Sequence, residues 1–187
     1  MTERHAALRP PLFERELEDR AARLRLVVTD VDGVLTDGGV YYSAEGEALK
    51  RFSVRDGMGV ERLRLAGIET AFLTRESSKV VEARAAKLGV RCYLGVRDKR
   101  AALPRVLEEN GVALNEVAYI GDDVNDGEIM ATIVQEGLAG APLDAVPMIL
   151  RRAHYRCALP GGCGAFRDFA EWILDLRDRA RPHRPGG

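Results

Sequence analysis

The sequence predicts an α/β protein built on a doubly wound parallel sheet. Short apolar runs rich in β-branched residues alternate with helical stretches of about three turns, which is the pattern of βαβ units. Glycines close several of the helical stretches, and no internal repeat recurs. At 187 residues the chain is expected to form one domain around a single core.

The elements follow in order. Residues 1–23 form an N-terminal extension in which 10–23 (PPLFERELEDRAAR) opens with prolines and then reads as a short amphipathic helix. Residues 24–29 (LRLVVT) read as a buried strand that ends at Asp30. Between residues 38 and 53, the runs VYYS and LKRFS flank Glu45-Gly46-Glu47, the signal of a β-hairpin. A helix is expected over 56–66, a strand over 68–74, a helix over 77–88 closed by Gly89, and a strand over 90–93. Then come a helix over 99–110 ended by Gly111 and a strand over 117–120 that delivers Gly121-Asp122-Asp123. A helix over 125–134, a short strand over 137–139, and helices over 146–152 and 166–176 complete a domain spanning 24–176. The basic, proline- and glycine-rich stretch 177–187 is expected to be a disordered tail.

Composition narrows the function classes. Apolar residues make up 46% and charged residues 30%, as in an ordinary globular protein, and the net charge is −1. No overall field therefore attracts nucleic acid or an anionic membrane, and neither is expected as a partner. Cys92, Cys157 and Cys163 are odd in number and lack Cys-x-x-Cys spacing, which argues against a disulfide framework or a zinc cluster. With no apolar run over 1–9 that reads as a signal peptide, and no run long enough to cross a bilayer, a soluble cytoplasmic protein is expected.

Parallel sheets gather their chemistry at the carboxyl ends of the strands, near a topological switch point. Asp30 and Asp32 follow the first strand, Thr74 ends the second, Lys99 opens the helix after the third, and Asp122 and Asp123 follow the fourth. Clustered carboxylates repel one another unless a cation neutralises them, and an all-oxygen set favours a hard ion such as Mg²⁺. With that cation and Lys99, a carboxylate can approach a phosphate and accept its phosphoryl group. Asp30, fixed at a strand end, suits the nucleophile; Asp32 lies close enough to protonate a leaving alkoxide and then deprotonate water. The Thr74 hydroxyl suits a phosphoryl oxygen. Taken singly, Asp32-Gly33 and Asp37-Gly38 are ordinary turn pairs, and a strand-end threonine is common. A calcium loop starting at Asp30 is excluded because Leu35 stands where that loop needs glycine.

These residues also carry a resemblance. TDVDGVLTDG (29–38), Thr74, Lys99 and GDDVND (121–126) resemble the four motifs of the haloacid dehalogenase superfamily. No stretch is long enough for an inserted cap domain, and the hairpin takes its place as a flap. That arrangement, with GEALKRFSVRDGMGV, ARAAKLGV and GGCGAFRDF, is similar to the capless sugar-acid phosphatases. The resemblance implies catalytic roles for Asp30, Asp32, Thr74 and Lys99. It implies Mg²⁺ held by the Asp30 and Asp122 carboxylates and the Asp32 backbone carbonyl, with Asp123 and Asp126 supporting the metal.

The substrate implied is a phosphorylated ulosonic acid. Thr74-Arg75-Glu76 departs from the Thr-Gly-Arg of the branch acting on octulosonate 8-phosphate, and Glu76 is more similar to the nonulosonate 9-phosphate branch. A nine-carbon substrate is therefore expected, with the eight-carbon one as the alternative. Residues matching Glu76, Arg84 and Lys87 recognise the sugar acid in that branch, some of them across a subunit boundary. By the same resemblance GGCGAFRDF closes a neighbouring subunit's site and brings Arg167 near substrate; as a sequence alone it reads equally well as a loop and helix start. A homotetramer with shared active sites is implied, with Tyr41 and Tyr42 as hairpin contacts. A fold of this kind used only as an oligomerisation or regulatory module is the non-enzymatic alternative, and no catalytic aspartate is missing to favour it.

Overall fold

A computed structural model describes residues 13–180. The proline-led start of the extension and the stretch after Ala180 lie outside the described residues. Six strands form one parallel sheet in the order β5-β4-β1-β6-β7-β8, from β1 (Leu26–Thr29), β4 (Glu69–Leu73), β5 (Arg91–Tyr93), β6 (Val117–Ile120), β7 (Leu138–Ala141) and β8 (Tyr155–Arg156). The expected doubly wound sheet is therefore present. The hairpin is a separate two-stranded unit, β2 (Tyr41–Ser43) and β3 (Gly46–Leu49).

Helices cover both faces. Along β1 the side chains alternate, so that Val27 joins one apolar cluster and Leu26 and Val28 the other. The Val27 side is closed by α1 (Glu14–Arg23), α2 (Val54–Leu65), α3 (Lys79–Leu88) and α7 (Ala165–Ala180). The opposite side is closed by α4 (Lys99–Asn110), α5 (Gly127–Ile133) and α6 (Pro147–Leu150). Burial of β1 on both faces explains why it reads as a continuous apolar run.

Helix starts are set by side chains that accept otherwise unpaired N–H groups: Ser53 for α2, Ser78 for α3 and Asp98 for α4. Gly89 and Gly111 end α3 and α4 in the left-handed conformation. Several expectations need correction. The helix expected over 125–134 is split into a 3₁₀ turn at Val124–Asp126 followed by α5, because the Asp126 carboxylate accepts the N–H groups of Asp122 and Asp123 and tightens the chain there. β8, a two-residue strand, was not expected. The last helix runs to Ala180 rather than 176, so the start of the expected tail is helical.

Candidate active site

β1 is central, and the chain crosses from its β4 side to its β6 side after β5. The carboxyl ends of β1, β4 and β6 therefore meet at the switch point. An open cavity of about 340 Å³ lies there, lined by Asp30, Asp32, Gly33, Gly38, Thr74, Arg75, Glu76, Asp122, Asp123, Val124 and Asn125. The strand-end residues singled out from sequence thus converge, with Lys99 beneath them.

Asp30 is 4% exposed. Its backbone N–H donates to Ile120 O of the neighbouring strand (2.9 Å), and its Oδ1 accepts from Val31 N–H (2.7 Å). Lys99 Nζ, also buried, stands 2.8 Å from Asp30 Oδ1 and 2.6 Å from Asp126 Oδ1. A lysine at the first position of α4 faces the unfavourable end of the helix dipole, and these two carboxylates offset that cost. Burial pulls the Lys99 ammonium down, but Asp30 and Asp126 together hold it above its ordinary value.

Asp126 is fully buried, and both its oxygens are engaged: Oδ1 by Lys99 and Tyr119 OH (2.6 Å), Oδ2 by Asp122 N–H (2.9 Å) and Asp123 N–H (3.3 Å). It therefore orients the site rather than reaching into the cavity. Asp123 is exposed and accepts from Val124 N–H (2.7 Å). Thr74 is buried at the end of β4, its hydroxyl oxygen accepting from Glu76 N–H (3.2 Å).

Asp30, Asp122 and Asp126 each offer a carboxylate oxygen, all within 4.8 Å of one another. Asp122 Oδ1 is buried with no hydrogen-bond partner. Burial first, then Asp30, Asp126 and Asp123, push the Asp122 carboxyl up to about 8. Burial and the Asp126 charge raise Asp30 to about 7 against the opposing pull of Lys99. An orphaned buried oxygen within a self-repelling oxygen cluster fits a hard divalent cation. Gly33 makes room for that cluster: its φ is +88°, and a Cβ there would stand 2.5 Å from Asp122 Cγ.

Of the residues implied for substrate, only Glu76 lines the cavity, together with Arg75. Within one chain Arg84 lies over the Phe52 ring (5.6 Å to its centre) and donates to Ser53 O (3.3 Å). Lys87 is exposed on α3. Arg167 pairs with Glu171 (2.6 Å), and its N–H donates to Asp56 (3.0 Å). None of these three lines the cavity. Within one chain the glycines of GGCGAFRDF buttress the first loop: Gly162 N–H donates to Val34 O (2.9 Å), and a Cβ on Gly162 would stand 2.5 Å from Asp37 N.

One residue was missed. Lys50, directly after β3, has a fully buried side chain with Nζ 2.6 Å from Asp32 Oδ1 and 3.4 Å from Glu47. A lysine beside Arg51 in a hairpin strand gives no sign of burial in the sequence.

No family model matches the chain, but individual proteins do. It is 42% identical to the 3-deoxy-D-manno-octulosonate 8-phosphate phosphatase of Yersinia pestis, over 86% of this chain and 84% of that one. The cobalt-bound deoxy-D-mannose-octulosonate 8-phosphate phosphatase of Haemophilus influenzae superposes with a TM-score of 0.81 at 36% identity, covering 86% of this chain and 93% of that one. The Moraxella catarrhalis 3-deoxy-D-manno-octulosonate 8-phosphate phosphatase, solved with magnesium, phosphate and the sugar acid, superposes with a TM-score of 0.81 at 33% identity, covering 89% and 94%. With its strand-end carboxylates, buried lysine and capless sheet, the chain belongs to the octulosonate 8-phosphate phosphatase family of the haloacid dehalogenase superfamily, and is a magnesium-dependent phosphatase.

Proposed function

We propose that the chain hydrolyses 3-deoxy-D-manno-octulosonate 8-phosphate through an aspartyl-phosphate on Asp30. The observation that carries the chemistry is the Asp30 carboxylate on the cavity wall, 2.8 Å from a buried lysine and beside the unpartnered Asp122 oxygen. The carbon count rests on the relatives, which name the eight-carbon substrate. The nine-carbon expectation leaned on Glu76, with Arg84 and Lys87 as its cation from this subunit or the next. Within one chain neither cation reaches the cavity, and the eight-carbon alternative is preferred on the substrate that the relatives' names give.

The residues divide the work as follows. The Asp30 carboxylate attacks phosphorus as the ester P–O bond breaks, and the departing sugar oxygen takes a proton from Asp32. Water then attacks the phosphoryl group and returns a proton to Asp32, the P–O bond to Asp30 breaks, and phosphate leaves. Lys99 neutralises Asp30 and the incoming phosphate, and the Thr74 hydroxyl donates to a phosphoryl oxygen. A hard divalent cation held by the Asp30 and Asp122 carboxylates and the Asp32 backbone carbonyl supplies the remaining positive charge. Among the described residues no helix is long and apolar enough to cross a membrane, and the three cysteines are unbridged, as suits a reducing cytoplasm.

We also infer a closed homo-oligomer, a tetramer, formed through the hairpin. Tyr41, Tyr42 and Leu49 are exposed there, 62%, 75% and 64% respectively. A neighbouring subunit can then bring Arg84, Lys87 or Arg167 to the open cavity. Light scattering that gives a fully active monomer overturns this assembly. For the substrate, kcat/KM is compared between the eight-carbon 8-phosphate and a nine-carbon ulosonate 9-phosphate. A ratio above about tenfold for the former is expected, since one discriminating contact contributes that much. The reverse ratio restores the nine-carbon reading.

A further inference from the structure

The hairpin does more than expose Tyr41, Tyr42 and Leu49. Immediately after β3 the chain turns Lys50 inward, burying its side chain completely. An ammonium withdrawn from water is costly unless nearby anions compensate. Here Asp32 Oδ1 lies at 2.6 Å and Glu47 Oε2 at 3.4 Å. Two carboxylates this close supply that compensation. Glu47 is itself held, since its other oxygen accepts from the Ser78 hydroxyl at the start of α3. A line of contacts thus runs from α3 through the hairpin to Asp32.

The two oxygens of Asp32 are left in unlike states. Oδ1 is committed to Lys50 and accepts a longer bond from the Thr36 hydroxyl (3.4 Å). Oδ2 is buried with no partner, on a residue that lines the cavity. A carboxyl oxygen gripped by an ammonium is a poor place for a proton, because the proton would face the ammonium's own hydrogens.

We propose that Lys50 is a positioning residue for the acid–base step: by holding Oδ1 it fixes the plane of the Asp32 carboxyl and makes Oδ2 the oxygen that gives and receives the proton. The proton on Oδ2 passes to the sugar oxygen as the ester P–O bond breaks. In the second step water's proton returns to Oδ2 while the P–O bond to Asp30 breaks. This rests on the aspartyl-phosphate reading above and adds the hairpin to the working parts of the site.

The test exploits leaving groups. A sugar or alkyl oxygen needs a proton to depart, whereas 2,4-dinitrophenolate does not. The quantity to measure is kcat/KM, which reports only the steps up to release of the alcohol. Lys50→Met, which keeps the apolar stem, should lose about 100-fold on alkyl phosphates and less than about threefold on 2,4-dinitrophenyl phosphate. Equal losses on both esters would make Lys50 a purely structural residue and overturn the proposal. Asp32→Asn is run alongside. If it shows the leaving-group dependence and Lys50→Met does not, the Lys50 proposal alone fails. If neither shows it, the acid–base reading of Asp32 fails. Should Lys50→Met not fold, Lys50→Gln is read by the same criterion, and failure of both to fold assigns Lys50 to the fold and overturns the proposal.

Discussion

Gly33→Ala is a one-carbon test of the carboxylate cluster. Gly33 sits at φ +88°, where an L side chain costs about 1–2 kcal/mol. Its Cβ would stand 2.5 Å from Asp122 Cγ, where ordinary contact needs more than 3.4 Å, so the carboxylate must retreat by about 1 Å. Functional groups tolerate about 0.5 Å of displacement, so cation affinity should fall at least about tenfold. At about 2–4 °C per kcal/mol for a chain of this size, the backbone term alone lowers Tm by about 2–8 °C. The assay is thermal melting with and without Mg²⁺. Saturating the wild type at about 100 times Kd contributes about 2.7 kcal/mol and should raise its Tm measurably. The variant should melt lower without metal and gain much less from it. An alanine variant with the wild-type Tm and the full Mg²⁺ response would show that the Gly33–Asp122 approach does not shape the site.

Three further outcomes are expected. Asp30→Asn should lower turnover at least about a thousandfold while keeping the fold by circular dichroism, because it removes the nucleophile and leaves Lys99 paired with Asp126. Asp122 at about 8 and Asp30 at about 7 both lie above the unfolded value of 3.8, so the metal-free fold binds more protons than the unfolded chain. Its stability should therefore fall as pH rises from about 4 to about 8, and Mg²⁺ binding should release about two protons near pH 6 but about half of one near pH 8. Calorimetric titration in two buffers counts those protons, and a zero count near pH 6 contradicts the cluster geometry. Asp126→Asn should cost about 3 kcal/mol in denaturant unfolding, since an amide nitrogen must face donors on one side of a fully buried group. A loss below about 1 kcal/mol would mean that the network around Lys99 repacks.

The local rules were legible where a boundary had a chemical cause. α4 was expected over its full length with Gly111 as its stop, and β6 because an apolar run ends at Gly121; the Asp98 cap that starts α4 is seen only in the structure. The convergence of Asp30, Thr74 and Asp122 on one cavity could be read because each follows the carboxyl end of a parallel strand. What escaped was tertiary. The sequence around Lys50 looks solvated, yet the hairpin's turn drives that lysine under Asp32. Arg84 and Lys87 share a helix face with a plausible role, but only the folded chain shows Phe52 and Ser53 occupying Arg84. Residues 177–180 look like tail by composition, whereas Arg177 donates to Ala66 O and Arg179 pairs with Asp175 and Glu14, which holds them helical. β8 has only two residues and no apolar run to announce it.

The position of α7 also sets a timetable. Phe166, Phe169, Ile173 and Leu176 fill the cluster that α1 and α2 help to build, yet they lie more than a hundred residues further along the chain. During synthesis every strand whose end lines the cavity is made before that helix exists, so the apolar faces of α1 and α2 wait uncovered while translation proceeds. The nascent enzyme is thus chemically equipped early and thermodynamically closed late. In that interval a chaperone, or another unfinished copy of the chain, competes with α7 for the same surface.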